Sequence, residues 1–161
     1  MASSTNKKVH IRRFDRDPLS GFVNPATYLG TNGLEFLNLN GSVAVIPYQD
    51  IKAVHFVKDF PAADADPGRR SFLARPKLDG LWVRMRFRDN ETLEGVLPNN
   101  LLQFEPLGFT IIPPDFTYNN QRLFVPRVAL LDIQVLGVVG SPLREAKRKA
   151  KPKDQIELFE P

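Results

Sequence analysis

Two stretches of this chain repeat one pattern, and the repeat constrains the fold more than any other feature. "IRRFDRDPLSG" ends at Gly21 and "MRFRDNETLEG" ends at Gly95, and each carries arginines, an aspartate and a leucine two residues before the glycine. When Val9 is aligned with Val83, the match continues from "GLEFL" to "GFTII" and from "VIPYQDIKAVHFV" to "FVPRVALLDIQVL", proline on proline. Three blocks in the same order indicate an internal duplication.

Each copy of the repeat is typical of five short β-strands. "VHIRRF" and "WVRMRF" alternate apolar and polar residues, which is the pattern of a half-buried strand. The turn-rich stretches "DRDP" and "RDNET" predict a hairpin into a second strand, whose inner glycine indicates a bend or a close backbone approach. A third and a fourth strand follow. The fourth ends at Pro47 or Pro126, and one short turn precedes the fifth.

This strand order resembles the Sm-like (SH3-type) small β-barrel, and more closely a group of uncharacterised bacterial proteins that carry such barrels. The resemblance implies an all-β chain with two tandem five-stranded barrels, at residues 8–58 and 78–140. Residues 1–7 are then a flexible N-terminus, 59–77 a linker and 141–161 a basic, flexible tail. A single β-sandwich of all ten strands is the alternative. The Sm uridine pocket is not implied, because neither copy has the Arg-Gly pair after its fourth strand.

Composition limits the chemistry that the chain can perform. There is no cysteine, so disulfides and thiolate nucleophiles are excluded, and there is no Gly-x-Ser-x-Gly motif. The two histidines, His10 and His55, fall on strands that can pair in such a barrel, but no third metal ligand is evident in the sequence around them. We therefore expect no enzyme activity, no metal and no cofactor. The class of function that remains is a non-catalytic binding or adaptor module.

Charge and hydropathy indicate where the chain resides and what its tail contacts. The net charge is +4, and Leu143–Lys153 alone holds six basic residues and one acidic residue. Such a segment predicts weak, nonspecific and salt-sensitive contact with nucleic acid. The N-terminus has no apolar signal core, and no apolar run approaches the ~18 residues of a membrane span. We expect a cytoplasmic protein that has no membrane partner.

Arginines in the linker and in the strand after it form a candidate nucleotide or nucleic-acid site. These residues are Arg69, Arg70, Arg75, Arg84, Arg86 and Arg88. The linker arginines followed by "NETLEG" resemble the PilZ domain, which binds a cyclic dinucleotide with an arginine pair and a D/N-x-S-x-x-G turn. Asn90, Thr92 and Gly95 fit that turn with Thr in place of Ser, but the spacing of the linker arginines differs from the PilZ pair. The alternative is that Phe72 and Leu73 dock the linker on a barrel while the arginines stay solvated.

The C-terminal segment "QIELF" resembles the short peptide, Gln-Leu-Ser/Asp-Leu-Phe, with which many bacterial proteins dock on the DNA sliding clamp. In that resemblance Gln155 hydrogen-bonds at the groove edge, Leu158 and Phe159 fill the apolar pocket, and Ile156 replaces the usual leucine. The implied partner is a protein, the bacterial sliding clamp. The alternative is that this segment packs on its own barrel. A fused pair of barrels can satisfy its own sheet edges, and a homo-oligomer is the other arrangement left open.

Overall fold

The computed structural model describes residues 6–62, 68–116 and 119–140 of the chain. The fold is all-β, as predicted. Its strands are β1 (Lys7–Arg13), β2 (Leu19–Val23), β3 (Leu34–Asn38), β4 (Val43–Ile46), β5 (Ile51–Val57), β6 (Gly80–Phe87), β7 (Thr92–Leu97), β8 (Gly108–Ile111), β9 (Asn120–Pro126) and β10 (Leu130–Val139). Short 3-10 turns lie at Tyr48–Asp50, Leu101–Gln103 and Arg127–Ala129. Nowhere in the described ranges is a helix long and apolar enough to cross a membrane.

The strands form two antiparallel sheets. One has seven strands in the order β4-β3-β2-β1-β5-β9-β8, and the other has three in the order β10-β6-β7. A bridge between Val96 and Ile112, with two backbone hydrogen bonds of 3.0 Å, connects β7 to the residue that follows β8. The sheets are open, and the predicted pair of closed barrels is not found. The physical reason is that β9, from the second copy, pairs with β5, from the first, so their backbone groups bond across the repeat boundary.

The duplication is visible in strand order and register. The first copy has the order β5-β1-β2-β3-β4, and in the second copy β10 pairs with β6, β6 with β7 and β8 with β9. Gly21 lies opposite Val9, and Gly95 lies opposite Val83, which are the residues that the sequence alignment superposes. β4 ends directly before Pro47 and β9 ends at Pro126, and each is followed by one 3-10 turn. The structure therefore agrees with the repeat inferred from sequence.

Two apolar cores lie on either side of the β5–β9 pair. Along β9, Leu123 and Val125 pack in the core of the second half, whereas Phe124 packs in the core of the first half. Along β5, Ala53 belongs to the second core and Val54 to the first. Both strands are buried on two faces, which explains their nearly continuous apolar sequences. Residues 8–58 and 78–140 thus pack against each other and share the strands that bound their cores.

Candidate ligand-binding cleft

A cleft of about 310 Å³ lies where the two halves meet the segment that connects them. Apolar side chains line part of it, and four of them, Ala53, Phe87, Pro113 and Leu123, are buried. Charged side chains line the rest. The cations are Arg12, Arg13, Lys52, Arg69 and Arg70, and the acids are Asp15, Asp89, Glu91 and Asp115. The cleft therefore combines an apolar wall with a charged rim of five cationic and four acidic residues.

A β-bulge explains how two consecutive arginines both reach the cleft. In a regular strand, neighbouring side chains point to opposite faces. Between Arg12 and Arg13 the pairing of β1 with β5 shifts, since Arg12 lies opposite Ala53 and Arg13 opposite Ile51. Such a shift changes the direction of the side chains that follow it. As a result, both arginines line the cleft.

Lys52 connects the two halves at the side of the cleft. Its Nζ lies 2.7 Å from Asp89 Oδ2 and 2.5 Å from Glu91 Oε2, both on the β6–β7 turn. It also lies 5.2 Å from the ring centroid of Phe87. Burial favours a higher pKa for the Asp89 carboxyl, but hydrogen bonds from Lys52 and from backbone groups outweigh it and hold that pKa below its usual value. Two carboxylates thus compensate Lys52, which indicates a structural role for this lysine.

The connecting segment is docked on the second half. The backbone N–H of Glu94 donates to the carbonyl oxygen of Arg70 at 2.7 Å. The Glu94 carboxylate accepts from Trp82 Nε1 at 3.0 Å and from the backbone N–H of Phe72 at 3.3 Å. The rings of Phe72 and Trp82 meet edge to face at a centroid distance of 6.5 Å. Phe72 therefore docks the segment as predicted, whereas Leu73 does not, because it is 81% exposed.

Of the arginines singled out from sequence, Arg69 and Arg70 lie at the cleft. The backbone N–H of Arg69 donates to Asp115 Oδ2 at 3.3 Å, and its side chain is exposed. Arg70 Nη2 lies 3.4 Å from Glu91 Oε1, and about half of its side chain remains accessible. Both guanidinium groups can therefore contact a ligand that enters from solvent.

The other four predicted arginines are used within the fold. Arg75 donates to the carbonyl oxygen of Val138 at 2.6 Å, and Arg86 donates to Asp132 Oδ2 from Nε at 3.0 Å and from Nη2 at 2.8 Å. The remaining two are Arg84, 3.6 Å from Glu94 Oε2, and Arg88, whose guanidinium carbon lies 3.9 Å from the ring centroid of Phe14. Glu94 and Asp132 therefore compensate the charges of the two arginines on β6, and Arg75 and Arg88 contact other parts of the fold.

Sequence reasoning did not single out Arg13 and Lys52 as site residues. One signal for Lys52 was present, because it is the lysine inside "IKAVHFV", a strand that is otherwise almost wholly apolar. A lysine in such a strand needs a compensating partner, and here the partners come from a turn far along the chain. Arg13 carried no comparable signal, since its position at the cleft depends on the bulge.

The two histidines lie opposite each other on β1 and β5. Their ring centroids are 6.4 Å apart, and His10 Nδ1 lies 3.0 Å from Ser20 Oγ. Burial, and then the charge of Arg12, lowers the pKa of His10 below its usual 6.5, so its neutral form is favoured. His55 lines the cleft. Across residues 6–62, 68–116 and 119–140, no three side chains of the metal-binding types form a group that could hold an ion.

The predicted tail motif, Gln155, Ile156, Leu158 and Phe159, lies outside the described residues. The interpretation of this motif as a docking peptide stays a prediction from sequence.

Comparison with known proteins gives a family and no function. Residues 5–137 match the model of DUF6982, which is described as a family of unknown function. No curated protein matches the chain, and no solved structure matches it. The family match includes both copies of the repeat and the segment between them. The resemblances to Sm-like barrels and to a clamp-binding peptide therefore rest on the residues alone.

Proposed function

The chain belongs to the DUF6982 family, and we propose that it is a non-catalytic binding module whose cleft takes a phosphate-bearing ligand of the nucleotide class. The observation that carries this proposal is the convergence of arginines from two distant segments on one apolar-walled cleft. Arg12 and Arg13 come from β1, and Arg69 and Arg70 from the docked connecting segment. The order of the strands supports an Sm-like origin for each half, and a cytoplasmic location belongs to the same proposal.

The chemistry of the cleft suits a ligand with one charged and one flat apolar part. Arginine presents a planar fork of donors that matches phosphate oxygens in a bidentate manner. Among the described residues, the Arg70 side chain forms a partly exposed ion pair with Glu91, and exposed ion pairs of this kind contribute little stability. A phosphate can replace that carboxylate at low cost. The wall formed by Phe14, Phe87 and Leu93 then accommodates a base or a ring.

A nucleotide titration tests this proposal. We expect the full-length protein to bind one of a panel (ATP, GTP, a cyclic dinucleotide) with micromolar affinity and to leave it unhydrolysed. Replacing both Arg69 and Arg70 by alanine should weaken binding by at least about tenfold, because a hydrogen bond to a charged group contributes about 1.5–3 kcal/mol. Isothermal titration calorimetry measures the affinity. The fluorescence of Trp82 gives a second readout, since its indole shares Glu94 with the docked segment.

The matched control is Arg86→Ala, which removes an arginine that pairs with Asp132 and does not line the cleft. It should keep the affinity of the native protein. Inorganic phosphate, as a competitor, separates recognition of the phosphate from recognition of the base. Failure of every nucleotide to bind, or an equal loss for Arg86→Ala, would overturn the assignment of the cleft.

The sequence of the tail favours a second function, docking on a protein partner. Leu158 and Phe159 are large apolar residues in a polar, proline-containing segment, where a solvated tail gains nothing from them. Burial of both in a groove contributes roughly 3–6 kcal/mol, at about 1.5–3 kcal/mol for each side chain. Ordering of the peptide offsets much of this, so the expected affinity is about micromolar. We propose that this partner is the bacterial sliding clamp.

A peptide of Lys153–Pro161, titrated into purified bacterial sliding clamp, tests the docking function. The native peptide should bind, and its Phe159→Ala form should bind at least about tenfold more weakly, because one apolar anchor is lost. Two findings together would contradict docking: a native peptide that does not bind the clamp, and a lower melting temperature for full-length Phe159→Ala. They would show that the segment is part of the fold.

A further inference from the structure

The β5–β9 pair, which joins the two halves, leaves β4 and β10 with a partner strand on one side only. The repeat makes β4 the counterpart of β9, and β10 the counterpart of β5. In the described part of the chain, β5 and β9 pair with each other, whereas β4 and β10 each lie at one end of a sheet. The opposite ends, β8 and β7, are connected by the Val96–Ile112 bridge. Each chain therefore presents one edge of the β9 type and one edge of the β5 type.

The internal pair gives the register that such edges use. On β5 and β9, Val54 lies opposite Phe124, His55 opposite Leu123 and Phe56 opposite Arg122. Alignment of Pro47 with Pro126 transfers this register to the free edges. Val43, Ala44 and Val45 then correspond to Arg122, Leu123 and Phe124, and Ile133, Gln134 and Val135 correspond to Val54, His55 and Phe56.

The side chains at the free edges are apolar where the internal pair is buried. Phe124 is 0% exposed and Phe56 is 3% exposed, whereas their counterparts Val45 and Val135 are 55% and 62% exposed. Val43, beside Val45 on the same strand, is 74% exposed. Proteins usually protect edge strands with charged residues or proline, because open backbone groups recruit other strands. β4, "VAVI", contains neither.

We propose that β10 of one copy pairs antiparallel with β4 of a second copy, head to tail, in the register of the β5–β9 pair. Val135 then lies opposite Val43 of the second copy, and Ile133 lies opposite its Val45. The second copy presents the same two free edges in turn. A head-to-tail contact of this kind forms a ring where the rotation closes and a filament where it does not. This inference is independent of the ligand proposed for the cleft.

Edge-blocking variants of the full-length protein test the assembly by analytical ultracentrifugation, from about 1 to 100 µM. The native chain should sediment as an oligomer. Val45→Lys and Val135→Lys should each be monomeric, because each loses one edge. Their equimolar mixture should form a heterodimer, since one intact edge of each type remains. Leu102→Lys, at a residue that is 95% exposed on the turn between β7 and β8, should assemble like the native chain.

Two outcomes would overturn the proposal. One is a native chain that stays monomeric throughout this range. The other is a Val45→Lys variant that still self-associates, because β10 would then pair with itself or another surface would be used. Circular dichroism melting shows whether each variant is folded before it is sedimented.

Cysteine cross-linking tests the register and does not depend on blocking an edge. The chain has no cysteine, so any disulfide that forms must join the introduced thiols. An oxidised mixture of Val43→Cys and Val135→Cys should give a covalent dimer, because residues directly opposite on paired strands bring their Cβ atoms within about 4.5–5.5 Å. Replacing Val135→Cys by Gln134→Cys moves the thiol to the other face of the strand and should reduce the yield severalfold. Equal yields for the two pairs would contradict this register.

Discussion

Phe124→Ala should lower the free energy of unfolding by about 3–5 kcal/mol, the usual cost of emptying a buried phenylalanine position. The ring is 0% exposed and meets Tyr28 edge to face at a centroid distance of 6.0 Å. Phe124 belongs to the second copy of the repeat but packs in the core of the first. The loss should therefore destabilise both halves in one cooperative transition. Urea unfolding, followed by circular dichroism and by fluorescence of Trp82 in the second half, measures this.

Leu102→Ala is the control for the Phe124 experiment, because it also truncates a large apolar side chain but at a residue that is 95% exposed. It should change the free energy of unfolding by less than about 0.5 kcal/mol. A change below about 1 kcal/mol for Phe124→Ala would contradict the shared core. So would a transition seen by circular dichroism that the fluorescence of Trp82 does not follow, because the halves would then unfold separately.

The strands and the repeat could be predicted because their signals are local. Alternation of apolar and polar residues identifies β1 and β6, and the glycine of each following strand lies opposite an aligned valine. The prolines that end β4 and β9 cannot donate to a sheet, so they mark the break before the fifth strand. Each of these signals depends on residues close to each other in sequence.

The pairing of β5 with β9 could not be predicted, because it joins strands that are far apart in the chain. The apolar run "LFVP" on β9 indicates burial of both faces but does not state which core each face meets. Phe124 enters the first core only because β9 lies beside β5. The expectation of two closed barrels was wrong for this reason, since each copy was assumed to complete its own sheet.

The residues of the candidate site also differ in whether local sequence or distant contacts determine their position. Arg69 and Arg70 could be proposed from sequence because they lie together in the segment that connects the copies. Their position at the cleft depends on Glu94, whose backbone N–H binds the carbonyl oxygen of Arg70. By contrast, the charge of Arg86 is compensated by Asp132, which lies on β10. A contact between distant strands decides which arginines face a ligand, and no local pattern reveals it.

Gly21→Ala should destabilise the protein by about 2–3 kcal/mol, toward the upper end of what overpacking costs. A Cβ built on Gly21 would lie 2.3 Å from the carbonyl oxygen of Leu37 and 2.5 Å from Cζ of the Phe36 ring. The oxygen belongs to the backbone of β3, so it cannot move aside without separating β2 from β3. Phe36 is also held rigidly, since it is 1% exposed in the first core. Thermal and urea unfolding of the variant measure the loss.

The second copy supplies a matched comparison for Gly21→Ala. A Cβ on Gly95 would meet Cδ1 of Ile111 at 2.7 Å and its Cβ at 3.1 Å, so the severest overlap is with the end of a side chain and not with backbone. Gly95→Ala should therefore cost only about 1 kcal/mol, and Ile111→Val, which removes Cδ1, should offset part of the overpacking. Gly137→Ala is the neutral control, because its nearest atom lies 3.6 Å away at ordinary contact distance. Equal losses of stability at Gly21 and Gly95 would mean that the strands adjust equally well at both bends. The claim that β2 and β3 are held rigidly together at Gly21 would then be wrong.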